Sequence, residues 1–260
     1  MMLLGLTPPI KALILDMDGV LWRGNQALID FPETFRKIRE LGLDFVLVTN
    51  NSTLSRETFL DKFSRYGISL APHQVVNSAL ATAYLLKKRF PEGGPVYVVG
   101  EKGLISSLEE QGFTLSEENV IAVVAGIDRQ LTYQKIATAM HLIRGGALFI
   151  GTNPDRTYPM PGRLIPGAGT VLAAIEAATD TKPLIVGKPA LTMLEMAMEN
   201  LGVLPAQTLV VGDRLDTDIA GGQAAGCRTA LVLSGVTTLE QARSWSPPPD
   251  IICENLAALF

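Results

Sequence analysis

The sequence contains few of the residues that build disulfide frameworks or zinc sites. Two cysteines and two histidines occur among its 260 residues, so a disulfide-rich scaffold and a Cys/His metal site are both disfavoured. Cys227 and Cys253 lie far apart, without metal-ligand spacing, and Cys227 opens an apolar run, which predicts a reduced core thiol. The two histidines, His73 and His141, are predicted to be structural or solvent-facing.

Long apolar runs and an excess of basic charge are also absent. No stretch of about 18 apolar residues occurs, so no membrane span is predicted. The net charge of −4 argues against a nucleic-acid partner, because no basic patch is present to neutralise phosphates. Residues 1–9 are apolar but lack a positively charged start, so we expect no signal peptide and a cytoplasmic protein.

Apolar strands and amphipathic helices alternate along the whole chain. Strands are predicted at 11–15 and 44–48 and helices at 31–41 and 55–66, an order typical of a parallel α/β sheet. The same alternation continues in a block set off by Pro/Gly-rich segments. We therefore predict a core domain formed by residues 1–78 plus 182–260, with a second α/β domain inserted at 79–181. A further helix is predicted at 216–225.

Two carboxylates follow the first predicted strand. Asp16 and Asp18 come directly after the apolar run, and Gly19 then allows a sharp turn. Two like charges at the end of a buried strand are costly. Such a pair is tolerated where a cation neutralises it or where the site performs chemistry.

Three further strand ends carry polar or charged residues. Thr49 and Asn50 follow the second strand, Lys188 follows an apolar strand at 183–186, and Asp213 follows a strand at 208–211. Ligands of open parallel sheets bind beyond the carboxyl ends of the strands, so we expect these residues at one edge. Asp218, five residues after Asp213, could either join a metal site or cap a helix.

This set of residue types suits phosphoryl transfer. Asp16 is predicted to be the nucleophile that forms an aspartyl-phosphate. Asp18 is predicted to protonate the leaving oxygen and then to accept a proton from the attacking water. Oxygen ligands from Asp16, Asp18 and Asp213 suit Mg²⁺, and Thr49 and Lys188 would hold the phosphoryl oxygens.

Four motifs in this order resemble those of the haloacid dehalogenase superfamily of phosphatases. They are D-x-D-G-V, a strand ending in Thr-Asn, a lysine after an apolar strand, and G-D-x-x-x-x-D. The inserted block resembles the large α/β cap (class IIA) of the NagD-like, 4-nitrophenylphosphatase branch. The strings D-G-V-L-W, T-N-N-S, G-T-N-P-D and P-G-A-G support that branch.

The resemblance implies a Rossmann-like core with an inserted cap, and a Mg²⁺-dependent phosphatase acting on small phosphomonoesters. The expected substrates are 4-nitrophenyl phosphate, phosphoglycolate, a sugar phosphate or a nucleoside monophosphate. The residues predicted to bind substrate are Gly19, Thr49, Asn50, Asn51, Asn153, Asp155 and Lys188. The residues predicted to bind the metal are Asp16, Asp18 (through its backbone carbonyl), Asp213 and Asp218.

Three other functions fit the sequence less well than this one. A phosphomutase shares the aspartate nucleophile but returns the phosphoryl group to its substrate. A receiver-type signalling module also surrounds Mg²⁺ with acids, a threonine and a lysine, but it is far shorter and lacks the D-x-D spacing. A non-catalytic binding protein is disfavoured because every expected catalytic residue is present. The expected partners are a small phosphorylated metabolite and a second copy of the chain, with no nucleic acid and no membrane.

Overall fold

The structure, a computed structural model, describes residues 5–24, 26–160 and 163–260. Residues 1–4, at the start of the apolar segment 1–9, lie outside these described ranges. The described strands are β1 (Ala12–Asp16), β2 (Trp22–Arg23), β3 (Gln26–Ala27), β4 (Asp44–Thr49), β5 (Val75–Asn77), β6 (Gly94–Val99), β7 (Phe113–Leu115), β8 (Ala122–Ala125), β9 (Leu148–Gly151), β10 (Thr157–Met160), β11 (Arg163–Pro166), β12 (Leu184–Ile185), β13 (Thr208–Gly212), β14 (Arg228–Val232) and β15 (Ile251–Cys253). The described α-helices are α1 (Phe31–Glu40), α2 (Arg56–Arg65), α3 (Ser78–Arg89), α4 (Lys102–Glu110), α5 (Tyr133–Arg144), α6 (Ala168–Thr179), α7 (Thr192–Leu201), α8 (Ala220–Ala224) and α9 (Leu239–Ser244).

The chain divides into two compact units. The first comprises the described residues up to Thr49 together with Glu57–Val76 and Met193–Phe260, and the second comprises Asn50–Arg56 and Asn77–Thr192. The second unit thus extends beyond the inserted domain expected at 79–181. The expected boundaries themselves stay a prediction.

The first unit is built on a six-stranded sheet in the order β15-β14-β13-β1-β4-β5. Strand β1 pairs in parallel with β13 on one side and with β4 on the other. The residues of β1 from Ala12 to Leu15 are all buried, as expected for a parallel strand covered on both faces. The chain leaves β1 towards β4 and later returns to the opposite side as β13. This reversal of strand order marks the place where ligands of such sheets bind.

An aromatic cluster forms part of the core of the first unit. The rings of Phe31 and Tyr66 are stacked, with centroids 4.2 Å apart, and the rings of Phe35 and Phe45 meet edge to face at 4.9 Å. Such aromatic pairs contribute stability beyond the apolar area that they bury. Helix α1 is fixed at its start by Asp30, whose carboxylate accepts the backbone N–H of Glu33 at 2.9 Å.

The second unit has its own five-stranded parallel sheet, in the order β12-β9-β8-β6-β7. One correction concerns β12, the apolar strand before Lys188, which was expected in the core sheet. It pairs instead with β9, with Leu184 opposite Ile150. Strands β10 and β11 pair in antiparallel orientation, with Thr157 opposite Pro166.

No helix within the described ranges is long and apolar enough to cross a membrane. Both cysteines are buried and neither forms a disulfide. The expectation of a reduced core thiol at Cys227 is therefore confirmed. Burial raises the pKa of both thiols to about 11, because the thiolate form loses its hydration.

Candidate active site

Three carboxylates converge where the strand order of the first unit reverses. Asp16 ends β1 and Asp213 follows β13 directly, and Asp218 lies on the turn after it. One oxygen from each of the three lies within 4.8 Å of the others, with Asp213 and Asp218 buried and Asp16 half-buried. Like charges this close repel one another strongly in a buried site. The group is therefore suited to a cation, and carboxylate oxygens are the ligands that Mg²⁺ prefers.

Two glycines leave room for the Asp213 side chain. A Cβ atom at Gly19 would stand 2.6 Å from Cγ of Asp213, and one at Gly235 would overlap the same carboxylate. Gly19 also has a φ of +88°, a conformation that other residues rarely adopt. The backbone N–H of Val236 donates a hydrogen bond to Oδ2 of Asp213 at 2.8 Å. The loop after β14 thus orients this carboxylate, and nothing in the motif pattern had pointed to that loop.

Asp218 lies on a single π-helical turn, Leu215–Ile219, ahead of the short helix α8. The helix predicted at 216–225 therefore begins with a π-helical turn and continues as α-helix only from Ala220. Oδ2 of Asp218 accepts the backbone N–H of Arg214 at 3.1 Å, and Gly212 leaves the space that its side chain occupies. Its carboxylate thus bonds to the residue that precedes this turn and also groups with the other two acids. π-Helical turns of this kind are frequent at functional sites.

Asp18 and Thr49 lie near the same edge of the first sheet. Asp16 pairs with Val48 across β1 and β4, which places Thr49 one residue further along, and Thr49 is buried. The carboxylate of Asp18 is half-buried and accepts a hydrogen bond from Nε1 of Trp22 at 3.1 Å. Among the described side chains, the three-carboxylate group does not include Asp18; its expected metal contact was through the backbone.

Trp22 is bordered by a lysine. Nζ of Lys62 lies 3.3 Å from the centroid of the Trp22 ring, within the range of a cation–π interaction. Burial lowers the pKa of Lys62, and the negative charge of Asp18 partly opposes that effect. From the sequence, Trp22 could either pack over the active-site entrance or belong to the core, and Lys62 was assigned no site role.

Asn50 and Lys188 are joined within the second unit. Oδ1 of Asn50 accepts the backbone N–H of Lys188 at 2.9 Å, and Nδ2 of Asn50 donates to the backbone oxygen of Lys188 at 3.1 Å. Nδ2 also donates to Oδ2 of Asp155 at 3.2 Å. Lys188 is only 3% exposed. The amide of Asn50 therefore fixes the backbone on which Lys188 stands.

The other two predicted substrate residues of this unit are held by hydrogen bonds inside the protein. Nδ2 of Asn153 donates to the backbone oxygen of Asn50 at 2.7 Å, and its Oδ1 accepts the N–H of Asp155 at 3.1 Å. Oδ1 of Asn51 accepts the backbone N–H of Thr53 at 2.9 Å, and its Nδ2 donates to the Tyr158 hydroxyl at 3.1 Å. These bonds are typical of side chains that shape a loop.

The structure thus gathers the predicted residues in two groups. Asp16, Asp18, Gly19, Thr49, Asp213 and Asp218 lie together in the first unit. Asn50, Asn153, Asp155 and Lys188 form a hydrogen-bonded network in the second, next in sequence to Asn51.

A six-stranded sheet with carboxylates at its reversal point, together with a second α/β unit, defines the class of protein. A family model described as haloacid dehalogenase-like hydrolase matches residues 13–114, and one described as HAD-hydrolase-like matches residues 185–259. The chain belongs to this family of hydrolases, in its NagD-like, 4-nitrophenylphosphatase branch. The predicted family and fold are therefore confirmed.

Three similar proteins illustrate the relationship. A dihydroxyacetone phosphatase from Corynebacterium glutamicum is 36% identical over 244 residues, which cover 94% of this chain and 88% of that protein. The p-nitrophenyl phosphatase structure from Archaeoglobus fulgidus is 32% identical, with a TM-score of 0.90, and covers 96% of this chain and 98% of that one. A glycerol phosphate phosphatase from Mycobacterium tuberculosis, solved with magnesium, is 32% identical with a TM-score of 0.89, over 96% and 76% of the two chains. These relatives confirm the predicted enzyme class, a phosphoric monoester hydrolase.

Proposed function

We propose that this enzyme hydrolyses small phosphomonoesters through an aspartyl-phosphate on Asp16, with Mg²⁺ as its metal. The observation that carries the proposal is the group of three carboxylates at the strand-order reversal, within 4.8 Å of one another. Asp16, Asp213 and Asp218, with the backbone carbonyl of Asp18, would hold the ion. A bound Mg²⁺ would draw charge from the phosphoryl oxygens and neutralise the acids. The magnesium complex of a 32% identical relative supports this choice of metal.

The reaction is proposed to run in two displacements at phosphorus. A carboxylate oxygen of Asp16 bonds to phosphorus while the P–O bond to the leaving group breaks. Asp18 supplies the proton that this leaving oxygen takes up. Water then attacks phosphorus and gives its proton to Asp18, and the P–O bond to Asp16 breaks to release inorganic phosphate.

Phosphate binding is proposed for Thr49, Asn50 and Lys188, with Gly19 and Asn51 lining the substrate. Lys188 matches the lysine of the third motif, and its backbone is held by the amide of Asn50. A buried ammonium is well suited to oxygens whose negative charge changes in the transition state. Asn153 and Asp155 are proposed to act on substrate choice through this network.

The substrate is proposed to be a small phosphorylated metabolite. The relatives described above are named for dihydroxyacetone phosphate, p-nitrophenyl phosphate and glycerol phosphate chemistry, and these share a phosphomonoester on a small alcohol or phenol. Phosphoglycolate, sugar phosphates and nucleoside monophosphates belong to the same class. A cytoplasmic location, a homodimer, and domain limits at 1–78 plus 182–260 and at 79–181 complete the proposal.

The test is a phosphate-release screen over phosphorylated metabolites and 4-nitrophenyl phosphate, with and without Mg²⁺. The wild-type enzyme is expected to release many phosphates per chain, to stop when EDTA removes the metal, and to recover when Mg²⁺ is returned. Asp16→Asn is expected to keep its fold, by circular dichroism, and to lose activity. Metal-independent turnover, or full turnover by Asp16→Asn, would contradict the proposal. An isomerised sugar phosphate without free phosphate would identify a mutase instead.

A further inference from the structure

The side chain of Trp22 turns back onto Asp18 because the backbone between them is folded. The N–H of Gly19 donates to the oxygen of Trp22 at 2.7 Å, and the N–H of Leu21 donates to the oxygen of Met17 at 2.9 Å. The positive φ of Gly19 allows this turn. Indole Nε1 thereby comes within 3.1 Å of Oδ1 of Asp18.

The ring of Trp22 is fixed from several sides. It is stacked with Phe31 at a centroid distance of 6.1 Å and with Tyr66 at 6.4 Å, and it is tilted against Phe63 at 5.2 Å. Lys62 lies over the ring, and Trp22 is 2% exposed. A ring packed in this way cannot swing its N–H elsewhere without disturbing the cluster. The direction of the hydrogen bond to Asp18 is therefore set by the core of the first unit.

We propose that Trp22 is a positioning residue for proton transfer, and that its N–H fixes Oδ1 of Asp18 so that Oδ2 carries the proton. This inference rests on the proposed function, in which Asp18 protonates the leaving oxygen. When the P–O bond breaks, its electron pair goes to the leaving oxygen, which takes the proton from Oδ2. Proton transfer of this kind requires the acid to be held within hydrogen-bond reach of the oxygen.

The role of Trp22 has a consequence that packing alone does not have. The nitro group of 4-nitrophenolate delocalises its charge, so this group leaves readily without a proton. Phenolate and 4-methylphenolate are more basic and depend more on the acid. A loosely held Asp18 should therefore slow the esters with basic leaving groups more than 4-nitrophenyl phosphate, whereas a general loss of packing should slow all three equally.

The test compares kcat/KM of Trp22→Phe and wild type on 4-nitrophenyl, phenyl and 4-methylphenyl phosphate with saturating Mg²⁺. This parameter reports the steps through transfer to Asp16. General acids contribute about 10²- to 10⁴-fold, so we expect roughly a tenfold loss on the two poorer substrates and less than about threefold on 4-nitrophenyl phosphate. Trp245→Phe is the matched control, because Nε1 of Trp245 donates to Gln223 at 3.2 Å and its loss removes an equivalent bond elsewhere. That variant is expected to match wild type on all three esters.

An equal loss on all three esters, no loss, or the same selective loss in Trp245→Phe would overturn the inference. If Trp22→Phe does not fold, β-(3-benzothienyl)alanine at position 22 keeps the two-ring shape and replaces only the N–H with sulfur. Asp18→Asn separates the two proposals. If it leaves the leaving-group dependence as in wild type, the proton-transfer role of Asp18 is wrong; if it steepens the dependence while Trp22→Phe does not, only the role of Trp22 is wrong.

Discussion

Replacing Gly235 with alanine perturbs the carboxylate group while leaving every proposed metal ligand in the sequence. A Cβ atom at Gly235 would overlap Oδ2, Cγ and Cβ of Asp213, well inside the 3.0 Å below which real Cβ contacts essentially do not occur. Gly235 is not among the glycines with positive φ, so alanine adds no backbone strain of that kind. The added methyl must therefore displace the Asp213 side chain.

The magnitudes of two effects of this displacement, on stability and on Mg²⁺ affinity, can be estimated. The hydrogen bond from Val236 N–H to Oδ2 of Asp213, 2.8 Å long, would be lost, and bonds to charged groups contribute about 1.5–3 kcal/mol to the free energy of unfolding. Mutating the residues that orient a metal ligand typically lowers metal affinity or activity by about 10- to 100-fold. We therefore expect Gly235→Ala to be less stable without metal and to bind Mg²⁺ about 100-fold more weakly.

Thermal unfolding with and without Mg²⁺ measures the second effect. At a Mg²⁺ concentration of about 100 times the wild-type Kd, binding stabilises the folded state by about 2.7 kcal/mol, whereas a 100-fold weaker site gains only about 0.4 kcal/mol. At about 2–4 °C per kcal/mol, Tm should rise by roughly 5–10 °C in wild type and by about 1 °C in the variant. Gly5→Ala is the matched control, because nothing lies within 4 Å of the added methyl. A Mg²⁺-induced rise of wild-type size in Gly235→Ala would refute the reasoning.

Three further predictions concern the second unit and the cysteines. Asp155→Ala removes the acceptor for Nδ2 of Asn50, and we expect it to change KM for metabolite substrates more than for 4-nitrophenyl phosphate in steady-state assays; equal changes would remove Asp155 from substrate choice. Burial raises the pKa of Cys227 and Cys253 to about 11, so both thiols should resist iodoacetamide at pH 8 until the protein unfolds. Because these thiols ionise at a lower pH in the unfolded chain than in the folded protein, the free energy of unfolding should fall as the pH rises from about 9 towards 11. Urea titrations measure this free energy, and a rise would contradict the buried thiol environment.

The position of the acidic group could be predicted because it depends on a general property of parallel sheets. Asp16 and Asp213 each follow an apolar strand, and strands of that kind end at a shared edge. Their adjacency could not be predicted, since it depends on β1 pairing with β13. The apolar pattern of a fully buried strand does not identify its neighbour.

The surroundings of the carboxylates depend on contacts distant in sequence. The loop that carries Gly235 and Val236 lies beside Asp213 because of how the strands of the sheet are arranged. No local sequence pattern predicts this contact. The helix predicted at 216–225 begins instead with a π-helical turn, where Asp218 accepts the N–H of Arg214. Periodicity reports which residues are apolar, and it does not report such a competing side-chain bond.

The strand before Lys188 was placed in the wrong sheet for a related reason. Leu184 and Ile185 form only a two-residue strand, and their partners, Ile150 and Gly151, lie more than 30 residues earlier. A short apolar run fits either sheet equally well. Only the hydrogen-bond partners decide between them.

The most direct test of the central claim is to trap the phosphorylated residue. Sodium borohydride reduces an acyl phosphate to an alcohol, so an aspartyl-phosphate becomes homoserine. The enzyme would be quenched with borohydride during turnover of 4-nitrophenyl phosphate and then analysed by peptide mass spectrometry. We predict homoserine at position 16, increased in Asp18→Asn because the base for the second step is missing. Homoserine at another aspartate, or none at position 16 in samples of either enzyme that release phosphate, would contradict the assignment of Asp16 as the nucleophile.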